Sequence, residues 1–190
     1  MNGRIATVMV HTSPLDQPGI GDAGGMNIYV LESAQRMAAM GVKVDIFTRR
    51  TDASQADIVD ISPGVRVRHI DCGHGNLTKE QLPAHIAGLS KEFLRILKTD
   101  NYDVIHSHYW ISGKVAMQAA KELGIPLVHT MHTMARVKNL NLAEGEVPEP
   151  MIRVQGESQV VAAADALIAN TDAEAASLVS LYEACPDIVS

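Results

Sequence analysis

Apolar residues recur along the chain in two rhythms that take turns. Short apolar runs at Ile5 to Val10, Val42 to Thr48, Val65 to Ile70, Tyr102 to His108, Leu127 to Met131 and Ala166 to Ala169 predict strands. In the fourth position of this series the run is Tyr-Asp-Val-Ile-His-Ser-His, a buried strand with histidines near its end. Val65 and Val67 alternate with Arg66 and Arg68, as on a strand with one face toward solvent. Between the strands, three- and four-residue spacings predict helices. Val30, Ala34, Met37 and Ala38 mark the first, closed by Gly41; Ile86, Leu89, Phe93, Ile96 and Leu97 mark the second; Val115, Ala119 and Leu123 mark the third. Two more are predicted, from about Met151 to Ala164 and from a capping pair at Thr171 and Glu174 to near Cys185. Strands and helices that alternate along the chain, with no internal repeat, predict a doubly wound, mostly parallel α/β sheet. Two stretches are more polar, Arg49 to Pro63 and the proline-bearing Asn139 to Pro150, the second read as a loop or lid.

Size and composition narrow the function. One domain with a full core fits 190 residues, and 46% hydrophobic with 20% charged residues is ordinary for a globular protein. A net charge of -6 and the absence of any Lys/Arg track exclude a nucleic-acid partner. Two cysteines without C-x-x-C spacing indicate neither a disulfide framework nor a zinc knuckle. No run is long and apolar enough to span a bilayer or to serve as a cleaved leader, so the expected location is the cytoplasm, without membrane insertion.

The densest polar chemistry lies between the first strand and the first helix, from His11 to Asn27. Glycines stand at 19, 21, 24 and 25, among His11, Asp16, Gln17, Asp22 and Asn27. Strand, glycine loop and helix start together make an anion cradle, because the first amides of a helix lack internal partners and the peptide dipoles leave positive charge there. Gly24 and Gly25 allow a ligand close to the backbone, and the Asn27 side-chain amide is expected to add a donor. Gly19, Gly21 and Gly24 also satisfy G-x-G-x-x-G. Eight residues with two prolines separate them from Val10, however, and the second strand ends in Thr48, Arg49 and Arg50 rather than in an acid, which argues against NAD. NADP stays open as a minor alternative on the arginine pair.

Further candidates stand at other strand ends. Thr78 and Gln81 have capping spacing, which predicts a helix with Lys79 in its first turn, a place where a cation opposes the dipole and so suggests an anionic partner. Arg153 repeats that placement. Lys79, Tyr109, Thr133 and Arg153 each follow a predicted strand, so in a doubly wound sheet they share the carboxyl rim and could surround one phosphomonoester. His106 and His108 lie on one strand face, with His129 and His132 ending the next strand; no Asp, Glu or Cys joins them at ligand spacing, so a metal site is not the expectation.

His11-Thr12-Ser13-Pro14, Gln17-Pro18-Gly19, Gly21-Asp22-Ala23-Gly24-Gly25-Met26-Asn27, Asp103 to Trp110 and His129-Thr130-Met131-His132-Thr133 closely resemble the amino-terminal domain of retaining glycosyltransferases of the two-Rossmann-domain (GT-B) type. Within that type the resemblance is to the D-inositol-3-phosphate glycosyltransferases of mycothiol biosynthesis, and it covers nearly the whole chain. It implies transfer of N-acetylglucosamine from UDP-N-acetylglucosamine to 1D-myo-inositol 3-phosphate with retention. By that resemblance His11, Gly21, Asp22, Ala23, Gly24, Gly25, Met26, Asn27, Lys79, Tyr109, Thr133 and Arg153 hold the inositol phosphate. Gln17, Pro18 and Gly25 touch the sugar nucleotide, and His132 lines the reacting sugar as the catalytic candidate. It further implies that residues 1–190 are an acceptor-binding Rossmann-like domain, the amino-terminal half of a GT-B fold, with the donor-binding domain absent and the isolated chain inactive or nearly so. No cofactor belongs to this half, Mg2+ would concern only the full-length enzyme, and a homodimer is compatible. The second domain of such enzymes carries a Glu-x7-Glu motif; Glu149 and Glu157 share that spacing but lie in the acceptor half, where it reads as coincidence. Alternatives are a relative with another donor or acceptor, of the sucrose-phosphate synthase or mannosyltransferase kind, or a non-catalytic sugar-phosphate-binding module.

Overall fold

The computed structural model describes residues 3–17, 19, 23–71, 75 and 77–190. Strand β1 (Arg4–Val8) is at the middle of a seven-stranded sheet, paired in parallel with β2 (Lys43–Arg49) on one side and β5 (Val104–His108) on the other. With β3 (Ile58–Ser62), β4 (Val65–Ile70), β6 (Leu127–Thr130) and β7 (Ala166–Ile168), the order is β3-β4-β2-β1-β5-β6-β7. All pairings are parallel except β3 with β4. The chain winds outward from β1 in both directions, which is the doubly wound arrangement that the alternation predicts.

Side-chain alternation loads both sheet faces. On β2, Ile46 packs with Met9, Val30 and Ala34 against helix α1 (Gly25–Ala39), whereas the next residue, Phe47, points to the opposite face with Phe93, Ile105 and Ile111. That second face carries α2 (Ile86–Leu97) and α3 (Trp110–Leu123). A third cluster, with Met131, Val161, Leu167 and Leu178, joins the far edge to α4 (Ala135–Leu140), α5 (Met151–Ala163) and α6 (Asp172–Tyr182). Among the described residues no helix is long and apolar enough to cross a membrane.

The polar stretch Arg49 to Pro63 contains β3, an antiparallel edge strand whose solvent-facing pattern carries little apolar signal. Two readings need correction. The stretch assigned to a lid begins with the last residues of α4. Lys79 is not in the first turn of a helix: Thr78 to Gln81 form a turn, a 3-10 segment covers Leu82–His85, and α2 begins only at Ile86. Pro83 explains this, since it has no N–H to donate to the Lys79 carbonyl, and an α-helix starting at Lys79 would require that bond. Thr78 and Gln81 keep one limb of the expected pairing, Thr78 N donating to Gln81 Oε1 at 2.9 Å.

Candidate functional site

The neighbours of β1 run off in opposite directions, so the loops after β1 and β5 diverge and leave a crevice at the carboxyl rim. On the β1 side the wall is the glycine loop. Asn27 is buried there at 1% exposure, and its amide donates to Thr12 Oγ1 at 3.0 Å and to the Ser13 carbonyl, while its Oδ1 accepts from Gly24 N at 3.2 Å. Both amide hydrogens are thus engaged within the loop, as a buried amide requires, and the expected extra donor is instead a brace. A Cβ on Gly24 or Gly25 would meet no atom of this chain within 4 Å, so no crowding within the chain demands glycine at either position. His11, Gln17, Ala23, Thr48 and Arg49 line a pocket of about 290 Å³ next to this loop. Met26, half-buried, packs beneath the loop; Pro18, Gly21 and Asp22 lie outside the described residues.

The β5 side supplies Tyr109, placed directly after the strand with φ 69° and ψ 149°. Its N–H donates to the Thr130 carbonyl at 3.0 Å, which ties the turn to β6. The ring lies 4.4 Å from that of His11 and has the Arg153 guanidinium above it at 5.1 Å. Arg153, in the first turn of α5, donates from Nη2 to Thr133 Oγ1 at 2.9 Å and from Nε to Glu157 Oε1 at 2.8 Å, and pairs through Nη1 with Glu149 Oε1 at 2.9 Å. His11, Tyr109, Thr133 and Arg153 therefore share one locality, drawn from the ends of β1, β5 and β6 and the start of α5. Burial raises the Tyr109 phenol above its ordinary value, partly offset by the positive charges of Arg153 and Lys79, so Lys79 also acts on this place.

Histidines fill the floor. His106 and His108 have ring centroids 4.1 Å apart, His106 Nε2 bonds Thr130 Oγ1 at 2.9 Å, and His108 Nδ1 bonds His132 Nε2 at 2.9 Å. On the other face of the sheet, His129 Nδ1 bonds Ser107 Oγ at 2.8 Å. Burial pushes His106 and His132 down to about 4, His129 down to about 3, and His108 well below the ordinary value, with neighbouring imidazoles adding to the effect on His106, His108 and His129. All four are neutral at pH 7, and a neutral imidazole pair can share one N–H, as His108 and His132 do. Among the described residues no group of three or more His, Cys, Asp or Glu is placed to hold a metal.

Gly24 and Gly25, Arg153 with the charge of Lys79 nearby, and a row of neutral histidines thus stand at the switch point of a doubly wound sheet, the place where open α/β sheets bind ligands. Residues 24–186 match the model of the glycosyl transferase 4-like domain. The chain belongs to this family.

As a glycosyl transferase 4-like domain it is 54% identical over 191 aligned residues to the D-inositol 3-phosphate glycosyltransferase of Thermobispora bispora, covering 98% of this chain and 45% of that protein. The protein of the same name from Streptomyces coelicolor is 53% identical, with 98% and 42% covered. The chain thus spans less than half the length of the curated relatives it matches. Among solved structures, sucrose-phosphate synthase from Thermosynechococcus elongatus superposes with a TM-score of 0.86 at 30% identity, over 93% of this chain and 44% of that one. The fold is accordingly α/β, a doubly wound domain of the kind that makes up one half of a GT-B fold.

Glu149 and Glu157 both pair with Arg153. Glu149 and Glu157 each stand four residues from Arg153, one before and one after, so a helix brings both carboxylates to its guanidinium. The signal was the spacing to Arg153 rather than the spacing between the glutamates. A larger recess of about 810 Å³ opens at the opposite, amino rim, among Arg4, Asp45, Arg66, Arg68 and Asp100. Those five charges satisfy one another: Asp45 accepts from Arg66, Tyr102 and Arg4, which hold its carboxyl down to about 2 although burial alone would raise it. That recess is a cross-linked charge network at the wrong end of the strands for ligand chemistry.

Proposed function

We propose that this chain is the acceptor-binding half of a retaining glycosyltransferase, which transfers N-acetylglucosamine from UDP-N-acetylglucosamine to 1D-myo-inositol 3-phosphate. The observation that carries the reading is the convergence of His11, Tyr109, Thr133 and Arg153 on one crevice, with the charge of Lys79 reaching Tyr109. Such a set suits a phosphomonoester with hydroxyl groups beside it: cations and a threonine hydroxyl for the phosphate, the glycine loop for the ring. Relatives named D-inositol 3-phosphate glycosyltransferase, 53–54% identical over nearly the whole chain, support the acceptor. Lengths more than twice that of the chain in those relatives support a second domain that supplies most of the donor site.

In this reading the acceptor is fixed by its phosphate while Gln17, Pro18 and Gly25 meet the donor. His132 lines the reacting sugar. Its Nε2 is engaged by His108, which leaves Nδ1 as the ring nitrogen for a sugar hydroxyl. The leaving diphosphate takes the acceptor proton on the same face, so that no side-chain nucleophile is needed, and rate comes from holding donor and acceptor together. The isolated chain is therefore expected to turn over negligibly.

Titration of the full-length protein with 1D-myo-inositol 3-phosphate tests the assignment. Arg153→Gln and Lys79→Gln should each weaken binding by about 1.5–3 kcal/mol, the worth of a hydrogen bond to a charged group. Unchanged affinity in both variants would overturn it. Transfer assayed with fructose 6-phosphate as competing acceptor separates this reading from a sucrose-phosphate synthase-like one, which the structural likeness to that enzyme favours as the second reading.

A further inference from the structure

Arg153 offers its donors in three directions, and their partners differ in whether they can leave. Nε is bound by Glu157, which is fully buried and also accepts from Ala135 N at 2.9 Å and from the Tyr182 hydroxyl. Removing that carboxylate would strand two other donors, so it stays. Nη2 is bound by Thr133, partly through the main-chain carbonyl. The Nη1 partner, Glu149, is a carboxylate with its side chain 22% exposed, held by no main-chain bond to Arg153, and it stands at the end of a loop, just before α5. Its Oε1 already accepts from Lys138 Nζ at 2.9 Å, so a second cation is ready to keep it.

With Lys138 on the same Oε1, the four groups sum to zero, and the exchange changes which donors are free rather than the net charge: with Glu149 moved wholly onto Lys138, Arg153 keeps Glu157 and Nη1 is open. We propose that Glu149 is a specificity-determining placeholder: it occupies the phosphate-facing donor of Arg153 and transfers to Lys138 only when a phosphomonoester dianion displaces it. A neutral polyol brings no charge to move a carboxylate and cannot match its charge-assisted bond, so it leaves Arg153 occupied. Glu149 is suited to this because it stays ionised: burial would raise its carboxyl, but Lys138 and Arg153 hold it below the ordinary carboxylate range. Its main-chain N–H is anchored separately on Asn139 Oδ1 at 2.8 Å, so the side chain can exchange partners while the loop end stays in place. The inference rests on the reading of Arg153 as a phosphate ligand.

The test is calorimetric titration of the full-length protein with 1D-myo-inositol 3-phosphate, inorganic phosphate and neutral myo-inositol. Glu149→Gln should tighten both phosphate-bearing ligands about threefold to tenfold and leave myo-inositol within about twofold. Lys138→Gln should weaken the phosphate-bearing ligands by a similar factor, because the displaced carboxylate loses its destination. In the Glu149→Gln background that loss should vanish. An equal loss in both backgrounds would show Lys138 acting as a distant charge and overturn the exchange, as would unchanged or weaker phosphate binding in Glu149→Gln. Arg153→Gln separates the two levels: if it leaves inositol phosphate binding intact, the phosphate reading itself fails, whereas a large loss together with an inert Glu149→Gln overturns the placeholder alone.

Discussion

Tyr109 occupies a backbone region, φ 69° and ψ 149°, that is essentially reserved for glycine, and the turn of chain from β5 into α3 forces it there. The conformation aims the ring at His11 and Arg153, so strain and site geometry are one feature. Stability of Tyr109→Gly and Tyr109→Ala isolates the strain, since both lose the ring but only alanine keeps a Cβ in the disfavoured region. Denaturant melts should find the glycine variant about 1 kcal/mol more stable than the alanine variant, and the reverse order would mean that the backbone relaxes. His132, two residues past β6, also has a positive φ, 62°. Sequence could place both residues at strand ends, because apolar runs mark where strands stop. It could not show their dihedral angles, which follow from bonds such as Tyr109 N to Thr130 O between distant segments. Asn27 illustrates the same limit: its type and place were legible, but whether its amide faces inward or outward depends on Thr12 and Ser13 folding back over it.

Helices α3 and α5 approach more closely than side chains allow except at two glycines. A Cβ on Gly113 would lie 2.5 Å from Val160 Cγ1, and one on Gly156 would lie 2.5 Å from Trp110 Cε3. The approach matters for function because Tyr109 leads into α3 and Arg153 rides on α5. Gly113→Ala should destabilise the fold by about 1–3 kcal/mol through overpacking. Val160→Ala should absorb much of that cost, so a double-mutant cycle in urea is expected to show about 1 kcal/mol or more of coupling; strict additivity would contradict the contact. Elements with a strong apolar period, such as α2 with Leu89, Phe93 and Leu97, were readable from sequence because one buried face imposes the pattern. Strand β3 and helix α4 were not, since an edge strand and a six-residue helix bury too little to imprint a period. The late start of α2 was missed for a different reason, a proline whose absent donor overrides the capping pair before it.

At the scale of the molecule, the histidine floor couples folding to pH. His106, His129 and His132 are held neutral with values pushed down to about 4, 3 and 4, whereas an unfolded histidine titrates near 6.5. Between those limits the unfolded chain binds more protons, so stability is fully present above about pH 6.5 and falls as the pH drops toward 4. Each such histidine contributes a slope of up to about 1.4 kcal/mol per pH unit within its window. Chemical denaturation at steps from pH 7.5 to pH 4.5 should show the decline; a flat profile would mean that the cluster takes up protons without unfolding. The opposite rim adds its own slope at lower pH, because an unfolded Asp45 takes up its proton near the ordinary value of 3.8 while the folded one is held down to about 2.

The flank of the sheet formed by β3 has one more consequence. Its pairing with β4 slips in register between Asp60 and Ser62, and a bulge there bends the last strand and adds twist. A parallel sheet that ended on a straight β4 would offer a flat row of open amides and carbonyls on which a newly made copy could template itself. The short reversed strand, with Asp60 on its solvent side, covers that row and leaves a crooked, charged margin in its place. A segment with a weak apolar pattern thus leaves the sheet a short, bent and charged margin in place of a straight one.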